Sequence, residues 1–326
     1  MNLLDMGALA QSEALANRSL SAVELMEATL DRIEAVYGRV NAIVSMVARD
    51  VLLDQARAAD AGRRRGWLHG IPIAIKDLSD AKGLPTSKGS PLFAGSIAEN
   101  DSLFVARIKA AGAIVIGKTN TPEFGLGSHT FNPVHGATRN PYDLSRSAGG
   151  SSGGAAAALA SGMLSIADGS DMMGSLRNPA GWNNVYGMRP SWGTVPAEPE
   201  GDMYLHQLAT SGPMARNPRD LAALLDTMTG VDPCQPLGRT PSASLPALNS
   251  MPHRLKLGWL GDWNGAFPVA DGILDLCSDA LSGFEGLGHK VEDTEAPFDA
   301  ETMWESWISL RSFSVASGLE SVFNNP

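Results

Sequence analysis

Lys76 closes an apolar run, Ile71-Pro72-Ile73-Ala74-Ile75. A lysine serves as a base only when neutral. Burial disfavours the ammonium and lowers its pKa, and an apolar strand is the kind of surrounding that does so. A second feature, Gly149-Gly150-Ser151-Ser152-Gly153-Gly154, sets two serines among four glycines. Glycine permits unusual backbone angles and close approach of other groups. Alone the run reads more readily as a linker or an anion nest than as a catalytic element, but it leads straight into an Ala-rich apolar segment, which argues against a flexible linker. A third feature is Ser175 in Gly169-Ser170-Asp171-Met172-Met173-Gly174-Ser175-Leu176-Arg177, 24 residues beyond Ser151. Alone it is an ordinary loop serine, and no G-x-S-x-G nucleophile elbow surrounds it. A serine hydroxyl is a weak nucleophile that needs an adjacent base.

Other motifs weigh less. Asp171 and Arg177 flank Ser175; a charge-assisted pair bracing the loop and two unrelated surface residues are both open. Gly112-Ala113-Ile114-Val115-Ile116-Gly117-Lys118-Thr119 matches the phosphate-loop pattern G-x-x-x-x-G-K-[ST]. Its middle residues are strand-like and Asn120-Thr121-Pro122 is a poor helix entry, so the context that motif needs is wrong. The six histidines show neither H-E-x-x-H nor triad spacing, His69 beside the lysine strand being the most interesting, and the two cysteines, Cys234 and Cys277, form no C-x-x-C. No metal or cofactor is expected.

The elements that must hold these residues alternate between strand and helix. Ser21-Ala22-Val23-Glu24 is a capping box opening a helix with Met26, Leu30, Ile33 and Tyr37 at helical spacing. Residues 63–65, all arginine, are expected as a solvated turn. Strands are expected at 71–75, 113–116, 164–167, 254–260 and 290–292. Helices are expected at 102–111, 152–163, 273–287, about 302–319, and after Asn217-Pro218 with Gly230 as its stop. Such alternation implies an α/β fold with a parallel or mixed sheet.

The chain has 326 residues, ample for a large core. Its net charge is −10 and no basic stripe is present, which argues against nucleic acid as a partner. No apolar stretch reaches the roughly 18–20 residues that span a bilayer, so no membrane role is expected. The first residues carry no secretory pattern, and two free thiols suit a reducing compartment, which makes the cytoplasm the default.

Taken jointly, the strand-end lysine, the Gly-flanked double serine and the later serine resemble the amidase signature family. The resemblance covers 70–189, includes Gly117-Lys118-Thr119-Asn120-Thr121-Pro122-Glu123-Phe124, and continues loosely through Ser211-Gly212-Pro213-Met214-Ala215-Arg216. The joint pattern is far more specific than its pieces. It implies the amidase signature fold: one domain over 1–326, with a mixed, mostly parallel sheet covered by helices on both faces. It implies Ser175 as the acylating nucleophile, Ser151 in a cis peptide as the relay, and Lys76 as the base. Backbone N–H groups of Met172, Met173, Gly174 and Ser175 would form the oxyanion hole, with Ser152, Asp171 and Arg177 in support.

The implied activity is hydrolysis of a small-molecule carboxamide through an acyl-serine, without cofactor. The alternatives are the glutamine-hydrolysing A-type component of an amidotransferase, or an inactive, truncated homologue. Residues 196–207 lack features associated with that component. Two departures stand out. Met173 occupies a position where the family usually has a small residue, commonly glycine, and family members usually continue well past residue 326, so the C-terminal part of the usual domain is expected to be missing. Oligomeric state is left open, a homodimer being allowed.

Overall fold

The computed structural model describes residues 3–199, 203–205, 207–250 and 254–324, so part of the 196–207 segment lies outside the described residues. The chain divides into two compact units, Met1–Leu245 and Pro246–Pro326. The first contains α1 (Ala8–Ala16), α2 (Ala22–Val40), β1 (Ile43–Val44), α3 (Arg49–Ala61), β2 (Pro72–Lys76), α4 (Leu103–Ala110) and β3 (Ile114–Thr119). There follow β4 (Phe131–Asn132), β5 (Gly136–Ala137), α5 (Gly153–Ala160), β6 (Ile166–Asp171), α6 (Arg177–Trp182), β7 (Tyr186–Gly187), β8 (Thr210–Ala215) and α7 (Pro218–Met228). A short turn, α8 (Ser244–Ala247), crosses the boundary. The second unit holds β9 (Lys256–Trp259), α9 (Ile273–Gly286), β10 (Lys290–Asp293), α10 (Ala300–Gly318) and α11 (Glu320–Phe323).

The α/β class and the mixed pairing expected from the sequence are what the chain forms. β2 runs parallel to β3, from Pro72 opposite Ile114 to Lys76 opposite Thr119, and β1 adds to the other side of β3 antiparallel. β6 pairs antiparallel with β8, which also carries β7 antiparallel. In the second unit β9 and β10 are parallel. Among the described residues parallel ladders are confined to these two pairs, and the other ladders are antiparallel.

Both faces of β2 and β3 are covered. Ile71, Ile73, Ile75 and Val115 pack with Phe104, Val105 and Ile108 of α4 and Leu224, Leu225 and Met228 of α7. Ala74, Ile114 and Ile116 face Met26, Leu30 and Ile33 of α2, Leu52 and Ala56 of α3, and the alanines of α5. A strand buried on both sides shows a continuous apolar run instead of alternation, which is why residues 71–75 are so uniformly hydrophobic. α5 is buried from Gly153 to Leu159, as a helix apolar all round must be. It approaches β3 so closely that a Cβ on Gly154 would stand 2.6 Å from the Asn120 carbonyl oxygen.

Several boundaries differ from the sequence reading. The Ala-rich helix stops at Ala160, not near 163, because Gly162 at φ 68° sits in the left-handed region that ends helices. The strand expected at 164–167 instead runs Ile166–Asp171. Its last residues are polar but its ladder with β8 continues through Asp171 opposite Thr210. α1, α3 and β8 are elements that the sequence reading does not include. The capping box is present: Ser21 Oγ accepts from Glu24 N–H at 3.1 Å and Glu24 Oε2 accepts from Ser21 N–H at 2.8 Å. The phosphate-loop look-alike is a buried strand: β3 continues through Gly117-Lys118-Thr119, and Lys118 is fully buried against Ser79 O and Thr86 Oγ1. Among the described residues no helix is long and apolar enough to cross a membrane, and no three His, Cys, Asp or Glu side chains gather as a metal site.

Candidate active site

Lys76 is delivered by the last position of β2, where Thr119 pairs with it and Asp168 Oδ1 accepts its backbone N–H at 2.9 Å. Its side chain has no solvent exposure. The Nζ atom stands 2.7 Å from Ser151 Oγ, 2.9 Å from Ser152 Oγ and 3.0 Å from Ser170 Oγ. Burial pulls the ammonium down to a pKa of about 7, against the opposing pull of Asp168 and Asp171. A lysine of this kind is largely uncharged just above neutrality, as a base must be.

Ser151 and Ser152 lie in the turn before α5, and the Gly150–Ser151 peptide is cis. Both are buried. The turn is held from two sides: Thr130 N–H donates to Gly149 O at 3.0 Å, and Gly153 N–H donates to Thr130 Oγ1 at 3.1 Å. Ser152 N–H donates to Ser175 O at 3.1 Å, which ties the double serine directly to the backbone of the third serine. Ser175 itself is half-buried. The arrangement therefore grades from a sealed lysine, through buried hydroxyls, to a serine open to solvent.

The loop carrying Ser175 is organised around Asp171, which is 1% exposed. Its carboxylate accepts from Gly174 N–H at 2.7 Å and Leu176 N–H at 3.2 Å. Arg177 adds Nε at 3.0 Å and Nη2 at 3.1 Å, and Arg189 adds Nη1 at 3.0 Å. Burial alone would raise the Asp171 carboxyl. The hydrogen bonds from Arg177, Gly174, Leu176 and Arg189 outweigh it and hold the group well below the usual carboxylate range. Gly174 needs to be glycine twice over: its φ is 106°, and a Cβ there would meet the Asn178 side chain at 2.8 Å.

Of the four N–H groups expected to form an oxyanion hole, that of Gly174 is thus already donated to Asp171. Those of Met172, Met173 and Ser175 have no hydrogen-bond partner among the described residues. The Met173 side chain is exposed. The Asp171–Arg177 pair, which the sequence leaves open, is formed.

Three polar residues at this site have no role in the sequence reading. Ser170 Oγ is a third hydroxyl on Lys76 Nζ. Asp168 is fully buried; burial pushes its carboxyl up to about 6, although the Lys76 N–H and the charges of Lys118 and Lys76 pull the other way. Arg189, past β7, reaches back to the Ser175 loop, where its Nη1 donates to Asp171 O. A second buried network adjoins the first, in which Asp77 accepts from Ser87 N–H at 3.1 Å and from the Ser87 hydroxyl, with Lys118 Nζ 3.9 Å away.

The Amidase family model matches residues 24–320. The chain is 38% identical over 306 residues to an indoleacetamide hydrolase of Bradyrhizobium diazoefficiens, covering 91% of this chain and 57% of that protein. It is 36% identical over 305 residues to the A-type component of the glutamyl-tRNA(Gln) amidotransferase of Thermobifida fusca, covering 90% of this chain and 60% of that protein. The crystal structure of a bacterial aryl acylamidase of the amidase signature family superposes with a TM-score of 0.89 at 30% identity, over 98% of this chain and 67% of that one. The chain therefore spans only 57–60% of the length of those two sequence relatives. With the family model matched over nearly the whole sequence, the chain belongs to the Amidase family, the amidase signature enzymes.

Proposed function

We propose that this protein is an amidase that cleaves the C–N bond of a small-molecule carboxamide, releasing a carboxylate and an amine or ammonia through an acyl-Ser175 intermediate. The observation that carries the reading is a fully buried Lys76 Nζ, near-neutral in pKa, 2.7 Å from Ser151 Oγ. In the first half-reaction Ser175 Oγ attacks the amide carbon. Its proton passes to Ser151 Oγ as the proton of that hydroxyl passes to Nζ. The carbonyl oxygen becomes an oxyanion, for which the uncommitted N–H groups of Met172, Met173 and Ser175 are the available donors, each worth about 3–4 kcal/mol when preorganised. Collapse expels the nitrogen, which takes the proton back from Lys76 through Ser151. Water then enters by the same path, its proton going to Lys76 and its oxygen to the acyl carbon, and Ser175 leaves with the returned proton. Every proton is accounted for by side chains and water.

A second reading has a specific observation behind it, the 36% identity to an amidotransferase component. In that reading the same groups release ammonia from glutamine for companion chains. Assaying ammonia from glutamine and from a panel of simple carboxamides with the chain alone separates the two.

The primary test needs no substrate. A serine-directed fluorophosphonate is applied to the purified chain and the adduct mapped by mass spectrometry, beside Lys76→Ala. Labelling at Ser175 that disappears in Lys76→Ala is expected. Absence of labelling in folded wild-type protein would refute the enzyme and leave a catalytically inactive member of the family.

A further inference from the structure

Arg189 makes an unusual set of bonds for an arginine beside a carboxylate. Besides Asp171 Oδ1, its Nη1 donates to the backbone carbonyl oxygens of Asp171 at 2.6 Å and of Met172 at 3.1 Å, while Nη2 donates to Leu208 O at 2.8 Å. In a trans peptide the C=O and the following N–H point in opposite directions. Two consecutive carbonyls held on one guanidinium therefore turn the next two N–H groups, those of Met172 and Met173, away from it. These are two of the three loop N–H groups left without a partner among the described residues. The third constraint comes from the other side of the loop, where Gly174 N–H is taken by Asp171. The arginine is itself anchored, since Met188 N–H donates to Pro213 O of β8 at 3.2 Å. Its side chain is 26% exposed, against 55% for Arg177.

We propose that Arg189 is the positioning residue of the oxyanion hole: it fixes the peptide planes of Asp171–Met172 and Met172–Met173 so that both N–H groups are aimed at the developing oxyanion. Arg177 differs in kind. It bonds the Asp171 carboxylate and no loop carbonyl, so it braces the loop without setting the direction of its donors. The inference rests on the amidase reading above. It also accounts for a methionine at position 173: orientation imposed through the carbonyls replaces the freedom a glycine there would have.

The test is the rate of fluorophosphonate labelling at Ser175 as a function of pH. In that reaction the Ser175 Oγ–P bond forms, P–F breaks, fluoride leaves and the serine proton goes to Lys76 through Ser151. The phosphoryl oxygen occupies the oxyanion position. Wild type, Arg189→Met, Arg189→Lys and Arg177→Met are compared, each checked for cooperative unfolding.

The expected result is a plateau rate at least tenfold lower in Arg189→Met with the acid limb at the wild-type pH, because Lys76 is untouched. Removal of one donor outright costs about 10²–10³. Arg189→Lys is expected to recover most of the rate, since an ammonium can still donate to the two carbonyls, and Arg177→Met is expected to lose less than Arg189→Met. If Arg189→Met does not fold, Arg189→Gln takes its place: its shorter neutral amide cannot hold both carbonyls, so a plateau below wild type with an unmoved limb is expected, and a plateau equal to wild type overturns the inference. An undiminished plateau in folded Arg189→Met, a loss in Arg177→Met as large, or an acid limb that moves with the plateau overturns the inference and leaves the amidase reading standing. Failure of wild type to label at Ser175 overturns both.

Discussion

Replacing Asp168 with asparagine should move the acid limb of Ser175 reactivity to lower pH. Lys76 is brought to about 7 by burial, and the largest opposing influence is the charge of Asp168, followed by Asp171. With a pKa near 7 the neutral fraction of Lys76 is about 9% at pH 6, half at pH 7 and about 91% at pH 8, so the labelling rate should rise about tenfold between pH 6 and 8. An opposite charge close by typically shifts a pKa by about 1–3 units. Asp168→Asn should therefore bring the limb to about pH 6 or below, raising the pH 6 rate from about a tenth of the plateau to about half of it or more.

The substitution preserves the Oδ1 acceptor for Lys76 N–H. It also removes a buried charge that is itself disfavoured, as the upward shift of the Asp168 carboxyl to about 6 records. The assay is the second-order inactivation rate by fluorophosphonate from pH 5 to 9 at fixed ionic strength, with the adduct site verified. A wild-type limb at pH 9 or above would mean that Lys76 is not desolvated. A limb that stays put or rises in Asp168→Asn would refute the electrostatic account.

Two further outcomes follow from packing and hydrogen bonding. Asp171→Asn withdraws the charge on which two arginines and two backbone N–H groups converge, and should cost about 3 kcal/mol in urea denaturation at pH 7. Because the native Asp171 carboxyl titrates well below its unfolded value, this stability is fully present above about pH 4 and falls away progressively as the pH drops toward the folded-state value. The gap to wild type should narrow on acidification below about pH 4, and a gap as large at pH 2 as at pH 7 would argue against a charge-based role. Gly154→Ala should destabilise even though alanine is favoured in helices by about 1 kcal/mol. The new Cβ would stand 2.6 Å from the Asn120 carbonyl oxygen, and overpacking costs about 1–3 kcal/mol, so the sign of the change in melting temperature tests how tightly α5 seats on β3.

What the sequence disclosed of the fold was whatever is encoded within a few residues. The capping box at Ser21, the doubly buried β2 and the Asn217 cap of α7 are local signals and stand as expected, with Asn217 Oδ1 accepting from Asp220 N–H at 2.9 Å. The misses are non-local. β6 extends to Asp171 because β8, some forty residues later, supplies its hydrogen bonds, and no local pattern marks Gly169-Ser170-Asp171 as strand. α3 buries only Leu52, Ala56 and Ala59, an apolar stripe too narrow to stand out in a polar stretch.

The same division governs the site. Ser151 and Ser152 lie 75 and 76 residues beyond Lys76, and their hydroxyls converge on its nitrogen. Nothing in either segment alone announces the other, and only their joint resemblance to a family did. Ser170 and Asp168 escaped because they reach the lysine from the unforeseen end of β6. Arg189 escaped for a more general reason. Its targets are carbonyl oxygens, which every residue possesses, so a side chain that works by orienting backbone has no partner type that a sequence can display. An electrostatic site built from peptide groups is legible at the residues that make the charge, such as Asp171. It is illegible at those that aim the dipoles, and for that reason the Arg189 substitutions probe the part of this site that only the three-dimensional arrangement discloses.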